Sequence, residues 1–182
     1  HHSNLEPWQV TVVDTGYNTM TGGRIRRIQE YVGDESFFMT YGDGVCDVDI
    51  NKLLEFHKFH GKIATLTAVK QTQEKGILDI GRDQAVKAFR EKNINDGAPI
   101  NAGYMVLEPR IFKYLTDDTC VFEREPLSKL VEEGQLMSYT HTGFWQCMDN
   151  IREKTMLEKL LATDMAPWKK WDRAIPNNPY KD

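Results

Sequence analysis

The stretch 40-TYGDGVCDVDIN-51 sets three aspartates and two glycines into a dozen residues, directly after the apolar run Phe37, Phe38 and Met39. Carboxylates grouped in this way suit a hard cation such as Mg2+, and glycines on both sides of Asp43 let a ligand approach the backbone closely. The alternative for Asp43 is an ordinary turn with a capping aspartate, and both readings stay open from spacing alone. Asp47, Asp49 and Asn51 imitate the first ligands of a calcium loop. That loop needs glycine at its sixth position and glutamate at its twelfth, where this chain has Lys52 and Lys58, so the calcium reading fails.

A second carboxylate, Asp149, stands in 143-GFWQCMDN-150 ahead of a helical pattern. By itself it reads as an N-cap, and its interest depends on whether the fold brings it to Asp43. Between the two lies 89-FREK-92, where Glu91 and Lys92 close a strand. A lysine there can meet a phosphate as a point charge, although such a run is usually a solvated edge. Asp47-Val48-Asp49 also imitates the metal-binding DxD of glycosyltransferases, but Asp49 is better explained as a helix cap.

The elements that must position these residues alternate. Val10, Val12 and Val13 predict a short strand ending at Asp14-Thr15-Gly16, and Ile25, Ile28 and Val32 follow Thr21-Gly22-Gly23 at helical spacing. Residues 36–41 predict a strand, 49–60 a helix with Ile50, Leu53, Leu54 and His57 on one face, and 63–69 a strand buried on both faces. Strand, helix, strand at this spacing is a βαβ unit, with 36–41 and 63–69 as neighbouring parallel strands. Further on, 77–80, 85–89, 100–107 and 136–141 read as strands, Pro109 starts a short helix, and 123–133 and 150–161 read as helices. The expected class is α/β, a mostly parallel Rossmann-like open sheet with helices on both faces. The expected division is one domain over 1–171 and a polar, proline-bearing tail over 172–182.

Composition narrows the function classes. With 40% hydrophobic and 27% charged residues, the 182-residue chain can bury one sizeable core. No apolar run approaches a membrane span and no signal peptide is recognisable, so a cytoplasmic location is expected. Cys46, Cys120 and Cys147 lie far apart without CxxC spacing, which predicts reduced thiols and neither disulfides nor zinc. A net charge of -4 gives no broad basic footprint for nucleic acid.

The succession EPWQVTVVDTG, MTGGRIRRI, TYGDGVCDVDI, GILDI, FREK, INAGYMVLEP, EREPL, GFWQCMD and APWKKW resembles the glucose-1-phosphate cytidylyltransferase family, in matching order from residue 1 to about 171. The resemblance implies a nucleotidyltransferase fold of the GT-A-like kind. It also implies synthesis of CDP-glucose and pyrophosphate from CTP and α-D-glucose 1-phosphate with Mg2+, for deoxysugar and surface polysaccharide synthesis, in a homo-oligomer that is a trimer or hexamer. The family's GGxGTR-type loop has no match here, so the chain is expected to be the C-terminal two thirds of such an enzyme, with native histidines at its start and no turnover by itself.

Residue by residue, the resemblance makes Asp43 and Asp149 the metal ligands. It puts Thr19, Arg24 and Gly42 on the nucleotide side, and Gly76, Glu91, Lys92 and Asn101 on the sugar-phosphate side. Lys92 joins the two aspartates in the catalytic set. Departures fall on the sugar side: QEKGILDI stands where the family has PGRFGALDI, FREKN replaces FxEKP, and Ala102 makes INAG of INGG. The alternatives are a metal-dependent glycosyltransferase and a non-catalytic paralogue acting as a binding or assembly module.

Overall fold

The computed structural model describes residues 9–70, 77–80, 85–90 and 98–170, the strands within 77–90 by their backbone only. In chain order the elements are α1 (Thr21–Arg27), α2 (Gln29–Val32), β1 (Phe37–Thr40), β2 (Gly44–Cys46), α3 (Ile50–His60) and β3 (Ala64–Lys70). Then come β4 (Ile77–Ile80), β5 (Val86–Arg90), β6 (Pro99–Leu107), a 3-10 turn (Pro109–Tyr114), α4 (Glu125–Glu132), β7 (Leu136–His141), β8 (Trp145–Cys147) and α5 (Ile151–Ala162). The predicted tail over 172–182 lies outside the described residues.

The central sheet has the order β1-β6-β3-β7. β3 pairs parallel with β7, whereas β6 pairs antiparallel with both β1 and β3. Three strands therefore share one direction and β6 runs against them, the mixed, mostly parallel sheet of an α/β protein. One expectation is corrected. β1 and β3 do run the same way with α3 between them in sequence, but they are not neighbours, because β6 occupies the slot. Ala102, Met105, Val106 and Leu107 are all buried. An apolar run of that kind announces a buried strand and says nothing about which strands it separates.

Alternation along the strands assigns the two faces. Ala64 stands opposite Leu107 and Leu66 opposite Met105, and these residues pack with Ile25 of α1, Ile111 of the 3-10 turn and Leu130 of α4. The other face carries Thr65, whose hydroxyl meets His57 of α3. Helices thus cover both faces, as expected.

α3 forms where the sequence places it. The Asp49 carboxylate accepts from the backbone N–H groups of Asn51 (3.1 Å) and Lys52 (3.2 Å), and Gly61 ends the helix at φ +64. Leu53 and His57 are buried, but Ile50, expected on the same face, is half exposed. Buried His57 bonds through Nδ1 to the Thr65 hydroxyl (2.8 Å) and through Nε2 to the Glu108 carboxylate (3.0 Å), while His60 Nε2 shares Thr65 at 2.7 Å. Ser36 donates to the same Glu108 oxygen at 2.5 Å.

Residues 9–20 correct another expectation. They form no strand among the described residues, and Val10 and Val12 are 76% and 92% exposed. The Asp14 carboxylate instead accepts from the Gly16 N–H at 2.8 Å, a local turn closed by glycine at φ +85.

Thr65→Val in the full-length protein removes the shared partner of two histidines from a fully buried position. It should cost about 1–3 kcal/mol, the range for orphaning a buried polar group, measured by urea unfolding. Burial pushes the Glu108 carboxyl up, but the hydrogen bonds from Ser36 and His57 and the charges of His57 and Arg110 outweigh it and hold it below the usual range. Its stabilisation is therefore present above the unfolded value of about 4.3 and is lost as pH falls through the lower folded value. Glu108→Gln should flatten the acid side of the stability profile.

Candidate active site

A two-stranded antiparallel ribbon of β2 and β8 builds the site. Its register pairs Gly44 with Cys147, Val45 with Gln146 and Cys46 with Trp145. One step beyond, the Met148 N–H donates to the Asp43 carbonyl at 2.8 Å. Asp43 and Asp149 are thereby brought to one end of the ribbon from distant parts of the chain.

Three sets of bonds fix the ribbon to the sheet. The indole Nε1–H of Trp145 donates to the Ala102 carbonyl (2.8 Å) and the Tyr104 hydroxyl to the Gly44 carbonyl (2.9 Å), both joining it to β6. His141 at the end of β7 bonds through Nε2 to the Asp47 carboxylate at 2.8 Å, and the Asp47 N–H reaches the Phe144 carbonyl at 3.1 Å. Lys170 Nζ also donates to the Asp47 carbonyl. The Trp168 ring packs on Phe144, ring centres 5.3 Å apart.

The aspartates divide by what they bond. Asp49 caps α3 and Asp47 holds His141, which leaves the DxD pattern without a free carboxylate. Asp43 is exposed, and among the described residues its carboxylate makes no hydrogen bond or ion pair. Asp149 is not the N-cap that its position suggests. Asn150 caps α5 by accepting from the Glu153 N–H (3.1 Å) while Glu153 Oε2 accepts from the Asn150 N–H (3.3 Å), a capping box, and Oε2 accepts also from the Asp149 N–H (2.7 Å). The Asp149 carboxylate accepts only a weak bond from the Cys147 thiol, at 3.3 Å. Burial, that bond and the charges of Glu153 and Asp149 push the thiol up to about 11, so it stays protonated as a donor.

The other expected residues fall as follows. Thr19 is buried ahead of α1. Arg24 is exposed and holds the turn before it, donating to the Thr15 hydroxyl (2.6 Å) and the Tyr17 carbonyl (3.3 Å). A Cβ on Gly42 would meet nothing within 4 Å, so the backbone beside Asp43 opens onto free space. Asn101 is exposed on β6, its side-chain oxygen accepting from the Gly103 N–H at 2.9 Å. It borders a cavity of about 290 Å3 lined also by Leu66, Ala68, Leu136 and Ser138 on the same sheet face. Gly76, Glu91 and Lys92 lie outside the described residues.

Sequence reasoning missed the ribbon and the side chains that hold it, Trp145, Tyr104 and His141. Three-residue strands carry too little alternation to recognise. The signal available was chemical: Trp and Tyr in apolar surroundings need partners for their N–H and O–H.

Residues 9–152 match the model of a protein family described as nucleotidyl transferase. The chain belongs to that family. A glucose-1-phosphate cytidylyltransferase of Salmonella typhimurium is 50% identical over 173 residues, covering 94% of this chain and 67% of the relative. A probable glucose-1-phosphate cytidylyltransferase of Bacillus subtilis is 38% identical over 167 residues, covering 91% of this chain and 65% of the relative. The chain therefore spans about two thirds of the length of the curated relatives it matches. A solved apo UDP-glucose pyrophosphorylase superposes with a TM-score of 0.61 at 13% identity, over 84% of this chain and 63% of that one. HddC from Yersinia pseudotuberculosis gives 0.56 at 22% identity, over 76% of this chain and 60% of that one. Both likenesses are of fold, the mixed α/β architecture described above. No helix among the described residues is long and apolar enough to cross a membrane.

In this nucleotidyl transferase the loop between β7 and β8 turns at Gly143, where a Cβ would collide with the Asp47 carboxylate and come within 2.7 Å of the His141 ring. Neither side chain can yield without breaking their bond. Gly143→Ala should therefore loosen the ribbon, lowering stability by about 1–3 kcal/mol and displacing Asp149. Unfolding measurements on the full-length protein, with turnover beside them, check this.

Proposed function

We propose that the full-length protein forms CDP-glucose and pyrophosphate from CTP and α-D-glucose 1-phosphate. The observation that supports the reading is that the Met148 N–H to Asp43 carbonyl bond puts the chain at Asp43 and the chain at Asp149 at one end of the β2–β8 ribbon, while neighbouring residues do the capping. On this reading the two exposed carboxylates converge on one cation, without which like charges brought together would repel. Their all-oxygen donor set, beside the open space at Gly42, fits Mg2+, which Asp43 and Asp149 would hold. When bound, the cation supplies charge neutralisation between two polyanions.

The remaining chemistry is positioning. A phosphate oxygen of the sugar phosphate attacks the α-phosphorus of CTP in line and pyrophosphate leaves. Thr19, Arg24 and Gly42 lie on the nucleotide side of this reading. Gly76, Glu91, Asn101 and Lys92 serve the sugar phosphate, Lys92 as a point charge on the attacking group. No general base is needed, because the phosphate monoester is already ionised at neutral pH. The cytoplasmic location and the homo-oligomer, trimer or hexamer, belong to the same proposal, and exposed Val12 and Tyr17 suit subunit contacts. Ile77 and Ala102 on the sugar side favour, as a second reading, a paralogue that binds without turnover.

Pyrophosphate release by the full-length protein, with each nucleoside triphosphate paired with several hexose 1-phosphates, tests the reading. CTP with glucose 1-phosphate should be the best pair. A glycosyltransferase or a non-catalytic paralogue releases none with any pair. Asp43→Asn and Asp149→Asn should each cut kcat on the order of a hundredfold or more with the fold intact. Lys92→Ala should raise KM for the hexose phosphate by about tenfold more than KM for CTP, and equal rises would place it on the wrong side.

A further inference from the structure

Glu123 lies two residues ahead of α4, and its carboxylate is shared between two distant hydroxyls. Oε1 accepts from the Tyr41 O–H at 2.6 Å, and Oε2 accepts from the Thr21 O–H at 2.7 Å. Thr21 Oγ1 in turn accepts from the Phe122 N–H at 2.9 Å, which closes the cluster. Tyr41 stands two residues before Asp43. Thr21 opens α1, two residues after Thr19 and three before Arg24. One carboxylate therefore spans from the strand end that leads to the Asp43 turn to the helix start that carries the nucleotide-side residues.

The remaining ties of α1 run elsewhere. Met20 and Gly22 donate from their backbone N–H groups to the carbonyls of Asp118 (2.8 Å) and Cys120 (2.9 Å), and Arg27 grips the Asp118 carboxylate at 2.9 and 2.5 Å. These hold the helix to the loop before α4, and Ile25 packs its later turn on the core beside Phe37 and Met39; at the start of α1 the Glu123 carboxylate supplies the link between Thr21 and Tyr41. The Tyr41 ring is itself preset. Its backbone N–H donates to the Gly103 carbonyl at 3.2 Å, and a Cβ on Gly103, at φ +78, would come within 2.7 Å of the ring. The hydroxyl is thus aimed before any ligand arrives.

We propose that Glu123 is a positioning residue that sets the gap between the nucleotide-binding end of α1 and the Asp43 turn. This rests on the nucleotidyl transfer reading above. Glu123 and Thr21 are exposed and Tyr41 is half-buried, so removing the clasp leaves the core intact. Hydrogen bonds at such a surface contribute little to global stability. Their effect falls on geometry, where a misplacement of about 1 Å far from the chemistry can cost on the order of a hundredfold in rate.

The test uses the full-length protein and measures kcat, both KM values and thermal midpoints for Glu123→Ala, Tyr41→Phe, the double variant and Glu123→Gln. Each single variant should raise KM for CTP by about tenfold, the worth of one hydrogen bond to a charged group, with KM for the hexose phosphate and the midpoint unchanged. The double variant should be no worse than Glu123→Ala, because both break one link. Glu123→Gln keeps an acceptor and should recover most of the loss. Equal rises in both KM values, losses that track a falling midpoint, or independent multiplication in the double variant would overturn the clasp. If the wild type uses another triphosphate in place of CTP, the assignment of CTP fails and the same comparison with that triphosphate decides the clasp. A wild type that turns over none sinks both.

Discussion

The register of β2 against β8 is the constraint on which the rest depends. A single backbone bond, from the Met148 N–H to the Asp43 carbonyl at 2.8 Å, brings together two aspartate-bearing segments that no local sequence feature connects. A strand pair can slip only in whole residues, and a slip by one would send alternate side chains to the opposite face. The ribbon is too short to resist slippage by its own ladder. Its register is held from outside, by the Trp145 and Tyr104 bonds to β6 and by the Asp47–His141 bond to β7. The central sheet therefore acts as the ruler for the site.

That role explains why the antiparallel β6 matters. Running between β1 and β3, it presents Ala102, Gly103 and Tyr104 beside the carboxyl end of β1, where the Asp43 turn begins. The Ala102 carbonyl takes the Trp145 indole and the Gly103 carbonyl takes the Tyr41 N–H, so two backbone acceptors at adjacent positions serve two different segments of the site. A parallel strand in that slot would bring a different set of backbone groups to the same end. In open α/β sheets ligands gather outside the carboxyl ends of the strands, and here the antiparallel strand supplies part of the wall.

Much of this was legible from sequence, and the failures have physical causes. α3 was legible because Asp49, the apolar spacing and Gly61 all point the same way, and β6 because nine residues carry a long apolar run. Val10 to Val13 looked like a strand because β-branched residues favour one, but pairing needs a partner, and composition does not say whether one is present. Asp149 looked like a cap because aspartate before a helix usually is. Asn150 with Glu153 three residues on was the stronger signal, since a reciprocal box satisfies two donors where a lone aspartate satisfies one. The ribbon was invisible because its specification lies in tertiary contacts.

Which carboxylates are left free is the more informative property of this chain. In the stretch from Thr40 to Asn51, Asp47 and Asp49 are bound to His141 and to the start of α3, both to protein groups that stay in place. Asp43, flanked by glycines, is exposed and uncommitted among the described residues. The same division recurs before α5, where Asn150 and Glu153 do the capping and leave Asp149 with only a thiol. A helix cap lowers the free energy of the chain alone, whereas an exposed carboxylate without a partner contributes nothing to it. At both positions residues that follow in sequence take over the capping, so the fold itself makes no use of either aspartate's carboxylate beyond the Cys147 thiol bond.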